Sequence, residues 1–229
     1  MSTPRHRIRP RHPAPPAPRA RRFSGDDGSL VVELAMVAPL MVVLLLGIFE
    51  FGTVWRNENL LSSALRGAGR VESQQSQATT ADQLAIQTFA AATAQMRNVT
   101  LKRLVIYDAP TTGNVYGPCT TTDVTTTPLG PHGRPTTSPN PPVAGINCNV
   151  YSPQQVSAVV NGTAPATAFG CGASSWDQFY CPSQRSNDVS DPDLIGVWAQ
   201  YTYTDVTNLF PTSTMTITDS VVYTIQPDV

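Results

Sequence analysis

Few side chains in this 229-residue chain are both chemically capable and grouped. Glu33 and Glu50 stand in an otherwise uncharged apolar run. Four cysteines, Cys119, Cys148, Cys171 and Cys181, lie far downstream, and Asp188, Asp191 and Asp193 crowd one short stretch. Each group suggests different chemistry. A carboxylate in an apolar run sits at a headgroup edge or needs a cation, because near a bilayer centre it costs roughly 2.5–3.5 kcal/mol. An even number of cysteines in a loop-rich, exported segment argues for disulfides. The three aspartates tempt a calcium reading, but they lack the ordered spacing and closing glutamate of a calcium loop, so a solvated acidic loop is expected. Zinc lacks ligands: no C-x-x-C occurs, and His132 is the only histidine near the cysteines. His6 and His12 fall in the N-terminal tail, so no Ser/His/Asp or Cys/His arrangement is available, and no phosphate-binding glycine loop is present. No catalytic residue, metal or cofactor is assigned, and a non-enzymatic role is expected.

These residues are positioned by a chain of very uneven composition. The net charge of −1 hides a division: seven of the fifteen Lys and Arg residues lie in the first 22 positions, where there is no acid. That tail also carries six prolines, so it should be extended and solvated. It lacks the aromatic interleaving or motif of a nucleic-acid binder, and no nucleic-acid partner is expected. From Leu30 to Phe51 the sequence is apolar apart from Glu33 and Glu50. As a helix these residues would span about 33 Å, against a hydrocarbon core of roughly 30 Å. The arginine-rich flank places the N-terminus in the cytoplasm and residues after about Trp55 outside, with Trp55 as an interfacial anchor. The run is too long for an ordinary signal peptide and no small-x-small site closes it promptly, so a single-pass signal anchor in the cell membrane is expected.

The stretch Gly28-Ser29-Leu30-Val31-Val32-Glu33 resembles the processing site of type IV prepilins and pseudopilins. The resemblance implies that prepilin peptidase would cut between Gly28 and Ser29, leaving Glu33 fifth in the mature chain. The new α-amine of Ser29 would be cationic, and a carboxylate one turn away or on a neighbouring subunit could pair with it. Further along, Glu33-Leu-Ala-x-x-x-Pro39, the Leu/Val run, Gly47-Ile-Phe-Glu50-Phe-Gly52 and Ala64-Leu-Arg-Gly-Ala-Gly-Arg70 look like the N-terminal module of the TadE-like family. These are small membrane-anchored proteins of the tight-adherence (Flp) pilus machinery, some processed as pseudopilins and many uncleaved. The resemblance implies a membrane-helix interaction face built from Glu33, Pro39, Gly47, Glu50 and Gly52. It also implies as partners the lipid bilayer and other pilus-assembly or pseudopilin-like membrane proteins, with prepilin peptidase as the processing enzyme.

Beyond the membrane the periodicity predicts a helical face of Leu60, Leu61, Ala64, Leu65, Ala68 and Val71, and a break at 73–80. A second helix is expected from Thr80, with Thr80 and Gln83 as a capping box and a core stripe of Leu84, Ala85, Phe89, Ala92 and Met96. Strands follow at Leu101–Tyr107, at Val197–Thr204 and from Thr214 to Ile225, the last two forming a hairpin around Asn208-Leu-Phe-Pro211. The insertion at about 110–192 holds twelve of the 21 prolines and all four cysteines, so it is expected to be loop-rich with little core. Three disulfide pairings are open, and the sequential one, Cys119–Cys148 with Cys171–Cys181, is favoured because its loops are shorter.

Helices followed by antiparallel strands make the fold class α+β. The expected organisation is a tail at 1–28, a transmembrane helix at 29–55 and an extracytoplasmic domain at 56–229. The functional expectation is a component of tight-adherence pilus assembly or a related secretion apparatus, acting by helix–helix and domain contacts. The alternative is a surface binding protein whose Thr/Pro-rich loops meet a ligand while the helix is a passive anchor.

Overall fold

The computed structural model describes residues 26–75, 77–113, 115, 119–120, 148–172, 175–207 and 214–227. The Arg/Pro-rich tail, most of 114–147 with His132, and the Asn208–Pro211 connection lie outside the described residues. The chain divides into two units, Met1–Leu44 and Leu45–Val229. In the first, the described residues are the start of helix α1 (Asp26–Gln74). The second holds the rest of α1, α2 (Ala81–Thr93), β1 (Val99–Asp108), β2 (Cys148–Tyr151), α3 (Pro153–Val160), β3 (Leu194–Thr204) and β4 (Thr214–Thr224). The strands form one antiparallel sheet in the order β2-β1-β3-β4. The fold class is α+β, as the sequence predicts.

The sheet has a core on each face. Strand β1 reads as a continuous apolar run because both of its faces are covered from Leu104 to Tyr107. On one face Leu104 and Ile106 join Val197, Ala199, Tyr201 and Tyr203 of β3, Leu61, Ala64, Leu65 and Ala68 of α1, and Ile86 and Phe89 of α2. The alternation expected for β3 therefore holds. On the other face Val105 and Tyr107 pack with Cys119, Trp198 and Val222. Two glycines permit the closest approaches. A Cβ at Gly196 would meet the ring of its cross-strand partner Tyr107 at 2.2 Å, and one at Gly69 would meet Tyr223 at 2.6 Å. Gly69 thus lets α1 lie against β4, and the end of the helix is tied to the end of that strand. Ser73 Oγ donates to Thr224 O at 2.6 Å, and Gln226 N–H donates to Ser73 O at 3.0 Å.

Three local expectations are corrected. Helix α2 does begin after Thr80, but Thr80 makes no side-chain cap, so the capping box with Gln83 does not form. The first turn is instead fixed from inside, where Asp82 is buried among polar partners. In the α2 stripe Leu84 is 39% exposed, and Ile86 takes the core position. The insertion has more structure than its composition suggests. Strand β2 pairs with β1 through Leu104↔Tyr151 to Tyr107↔Cys148, and α3 buries Val156 and Val159 in the shared core. The segment borrows core from the sheet it joins. Its helix carries a genuine capping box, with Ser152 and Gln155 bonding each other's backbone N–H and Pro153 in the first turn. The two disulfides join Cys119 to Cys148 and Cys171 to Cys181, the sequential pairing.

Candidate functional site: the apolar helix and its buried anchors

From Leu30 to Leu44 every large apolar side chain of α1 is exposed, Met36 the most at 77%. The helix is long and apolar enough to cross a membrane. An apolar surface of this extent, unbroken around the helix, is stable only against lipid or another apolar surface. Ser29 and Glu33 are one turn apart at its start, with Ser29 Oγ 3.5 Å from Glu33 Oε1. Pro39 lies inside the helix, where it removes one backbone donor without ending the element. A Cβ at Gly28, Gly47 or Gly52 would meet nothing within 4 Å. Nothing within the described chain therefore requires glycine at those three positions, in contrast to Gly69.

Glu50 lies elsewhere in this geometry. Although Phe49 and Phe51 on either side are exposed, Glu50 is fully buried. Its Oε1 accepts hydrogen bonds from the Tyr203 hydroxyl at 2.5 Å and from Val206 N–H at 3.1 Å. Burial first, and Glu50 second, hold the Tyr203 hydroxyl above its ordinary pKa. About two helical turns later Asn57 clamps the turn before β1, donating to Arg97 O at 2.9 Å and accepting from Arg97 N–H at 3.2 Å. The helix is thus bound to the sheet domain by polar side chains at Glu50, Asn57 and Ser73.

A second polar cluster went unread in the sequence. Arg185 is buried and bridges two carboxylates, donating from Nη1 to Glu72 at 2.6 Å and from Nη2 to Asp82 at 2.5 Å. Asp82 also accepts from Asn149 at 2.8 Å and from the Tyr151 hydroxyl at 2.5 Å. Arg185 reaches Tyr180 O at 3.0 Å and stacks 4.4 Å from the Tyr180 ring centroid. Burial, and then the neighbouring charge of Asp82, push Glu72 up to about 8, so its proton offsets the second negative charge of the cluster at neutral pH. The network joins the end of α1, the start of α2, β2 and the Cys171–Cys181 loop. The only sequence hints were periodic: Glu72 continues the buried Leu65–Ala68 face, and Arg185 is the only basic residue after Arg134.

The loop that delivers Arg185 is held by Asp177, which accepts from Gly170 N–H at 2.9 Å and Cys171 N–H at 3.0 Å. Two aspartates of the acidic stretch are occupied locally. Asp188 caps Ser190 N–H at 2.9 Å, and Asp193 accepts from Ser186 N–H at 2.7 Å. Among the described residues no three His, Cys, Asp or Glu side chains gather as a metal group.

A family model described as TadE-like protein matches residues 28–70. Residues 28–70 are thus similar to the TadE-like family. The match covers the apolar stretch, Glu33, Pro39, Gly47, Glu50 and Gly52, and it runs through the buried face of α1 to Arg70. With the apolar helix it supports a membrane protein associated with the tight-adherence pilus. No curated protein and no solved structure matches the chain. The TadE-like segment therefore holds both the exposed apolar surface and the anchors Glu50 and Asn57, whereas the sheet and the disulfide loops lie beyond it.

Proposed function

We propose that this chain is a membrane-anchored TadE-like component of tight-adherence pilus assembly or a related secretion apparatus, working through helix–helix and domain contacts without catalysis. The observation that carries the reading is the exposed apolar run of the matched segment, with Glu33 at its start. The seven arginines of the tail favour a cytoplasmic N-terminus, which leaves the sheet domain and its disulfides on the oxidising side. Prepilin peptidase would cut between Gly28 and Ser29, and the new amine would give Glu33 a cationic partner on its own helix or on a neighbour's. Gly47 and Gly52, where an added Cβ would meet nothing within 4 Å, favour close approach by a partner helix. Pro39 would bend the helix to fit that assembly.

The decisive first measurement is the N-terminus of the membrane-bound protein by mass spectrometry. A start at Ser29 is the expected result for a processed pseudopilin, while a start at Met1 or Ser2 would leave an uncleaved assembly protein. Replacing residues 30–49 with an unrelated membrane helix tests the mode of action. Pilus assembly should fail; retained function would favour a surface binding protein on a passive anchor. Glu33→Ala should still insert into the membrane but lose incorporation into the assembly.

A further inference from the structure

Glu50 and Asp205 are both buried, at 0% and 8% exposure. Glu50 comes from α1 and Asp205 from the residue after β3. They are held together through the backbone, since Val206 N–H donates to Glu50 Oε1 at 3.1 Å. Tyr203 takes the same oxygen. That leaves Glu50 Oε2, both carboxylate oxygens of Asp205 and the hydroxyl of Thr207 buried without a hydrogen-bond partner. The ion pairs of Arg185 go to Glu72 and Asp82, not to Glu50 or Asp205.

An unpaired buried carboxylate costs several kcal/mol, and two brought to the same Glu50–Val206 hydrogen bond also repel each other. A positive charge held by both would remove that cost. A lysine or arginine of a partner is a poor fit, because these oxygens have almost no accessible surface and a long side chain could not reach them without opening the domain. A bare ion could. The free atoms are all oxygens, which suits a hard cation and not zinc. Two carboxylates match a divalent charge. Magnesium demands near-ideal octahedral geometry and keeps its waters, whereas calcium accepts irregular oxygen shells with mixed carboxylate and neutral ligands.

We propose that Glu50, Asp205 and Thr207 form a binding site for a divalent cation of the calcium class, which ties α1 to the connection after β3. The site does not depend on the pilus reading. It is built from three residues scattered over 157 positions, which is why no calcium-loop spacing announces it.

The test uses the full-length protein in detergent, stripped with EGTA and titrated with calcium chloride while thermal unfolding is followed by fluorescence. The melting temperature should rise with calcium and saturate near the range of extracellular calcium modules, about 10⁻⁴–10⁻³ M. Asp205→Asn should abolish the rise and, in EGTA, melt no lower than the parent, because it removes an uncompensated charge. Thr207→Val, a milder change at a partly buried position, should weaken calcium binding several-fold. Asp191→Asn, in the exposed acidic stretch, should keep the parent response. A parent that does not respond to calcium well above that range overturns the proposal. A response that survives Asp205→Asn overturns it equally, by placing the ion elsewhere.

Discussion

The sheet domain buries two pairs of carboxylates, and they are served very differently. Glu72 and Asp82 share Arg185, whose guanidinium reaches both, and Asn149 and Tyr151 complete the second oxygen of Asp82. Glu50 accepts a tyrosine hydroxyl and one backbone N–H on a single oxygen, and the Asp205 carboxylate is buried without a hydrogen-bond partner. Both pairs tie α1 to later segments of the chain. The first matches its charges internally, with one arginine and one retained proton, although Glu72 Oε1 and Arg185 Nε are buried without a hydrogen-bond partner. The second has no such internal match. A charge-matched network fixes a fold, while an unmatched one leaves room for control by what enters it.

The comparison breaks most visibly at Arg185. Arg185→Ala leaves Glu72 and Asp82 buried with no cation, and a loss of about 3–5 kcal/mol in unfolding free energy is expected by urea titration. Arg185→Lys should recover only part of this, since a single ammonium cannot donate along both arms of the fork. If Arg185→Ala unfolded at the parent midpoint, the buried network would not be the domain's lock. The disulfide Cys171–Cys181 supports the same network from the loop side. The double variant Cys171→Ser/Cys181→Ser should lose about 2–4 kcal/mol. Its loss should be less than additive with Arg185→Ala, because both release the segment that carries Tyr180 and Arg185.

How much of this could be read in the sequence follows from the range of each interaction. The apolar run and the alternation of β3 are short-range signals, and each was legible. Strand β2 has four residues, too few for a period to show in so proline-rich a segment. Helix α3 could have been found, since Ser152-Pro153-Gln154-Gln155 carries a capping box with proline at its first position. The buried polar clusters were out of reach. Glu72, Asp82 and Arg185 meet across separations of 103 and 113 residues, and Glu50 meets Tyr203 across 153. Glu50 showed as a charge at the end of an apolar run, which predicts a membrane edge; its turn toward Tyr203 is a tertiary fact with no local pattern.

Within the open pair, Tyr203→Phe removes the stronger of the two donors to Glu50. Hydrogen bonds to charged groups contribute roughly 1.5–3 kcal/mol, and a loss in that range is expected for the calcium-free protein. Saturating calcium should shrink the loss, because the ion also neutralises Glu50. An equal loss with and without calcium would separate the tyrosine from the proposed ion and sharpen the contrast between the two clusters.

The smallest effect is expected at Glu72, and it has a sign. Glu72 ionises at about 8 in the folded chain against 4.5 ordinarily, because burial and then Asp82 disfavour its charge. Between those values the folded chain keeps a proton that the unfolded chain has released. The contribution of Glu72 is therefore fully present below about pH 4.5, falls as pH rises, and is flat again above about 8. Glu72→Gln cannot ionise, so its stability lacks this slope. Near pH 5 the variant should unfold close to the parent, since a protonated carboxyl and an amide are similar in shape and charge. By pH 8 it should be the more stable of the two, by at least the worth of one pH unit, about 1.4 kcal/mol. Parallel stability curves from pH 5 to 9 would mean that Glu72 is ionised throughout. The Arg185 cluster would then carry a net negative charge of its own and resemble the Glu50–Asp205 pair more closely than its geometry suggests.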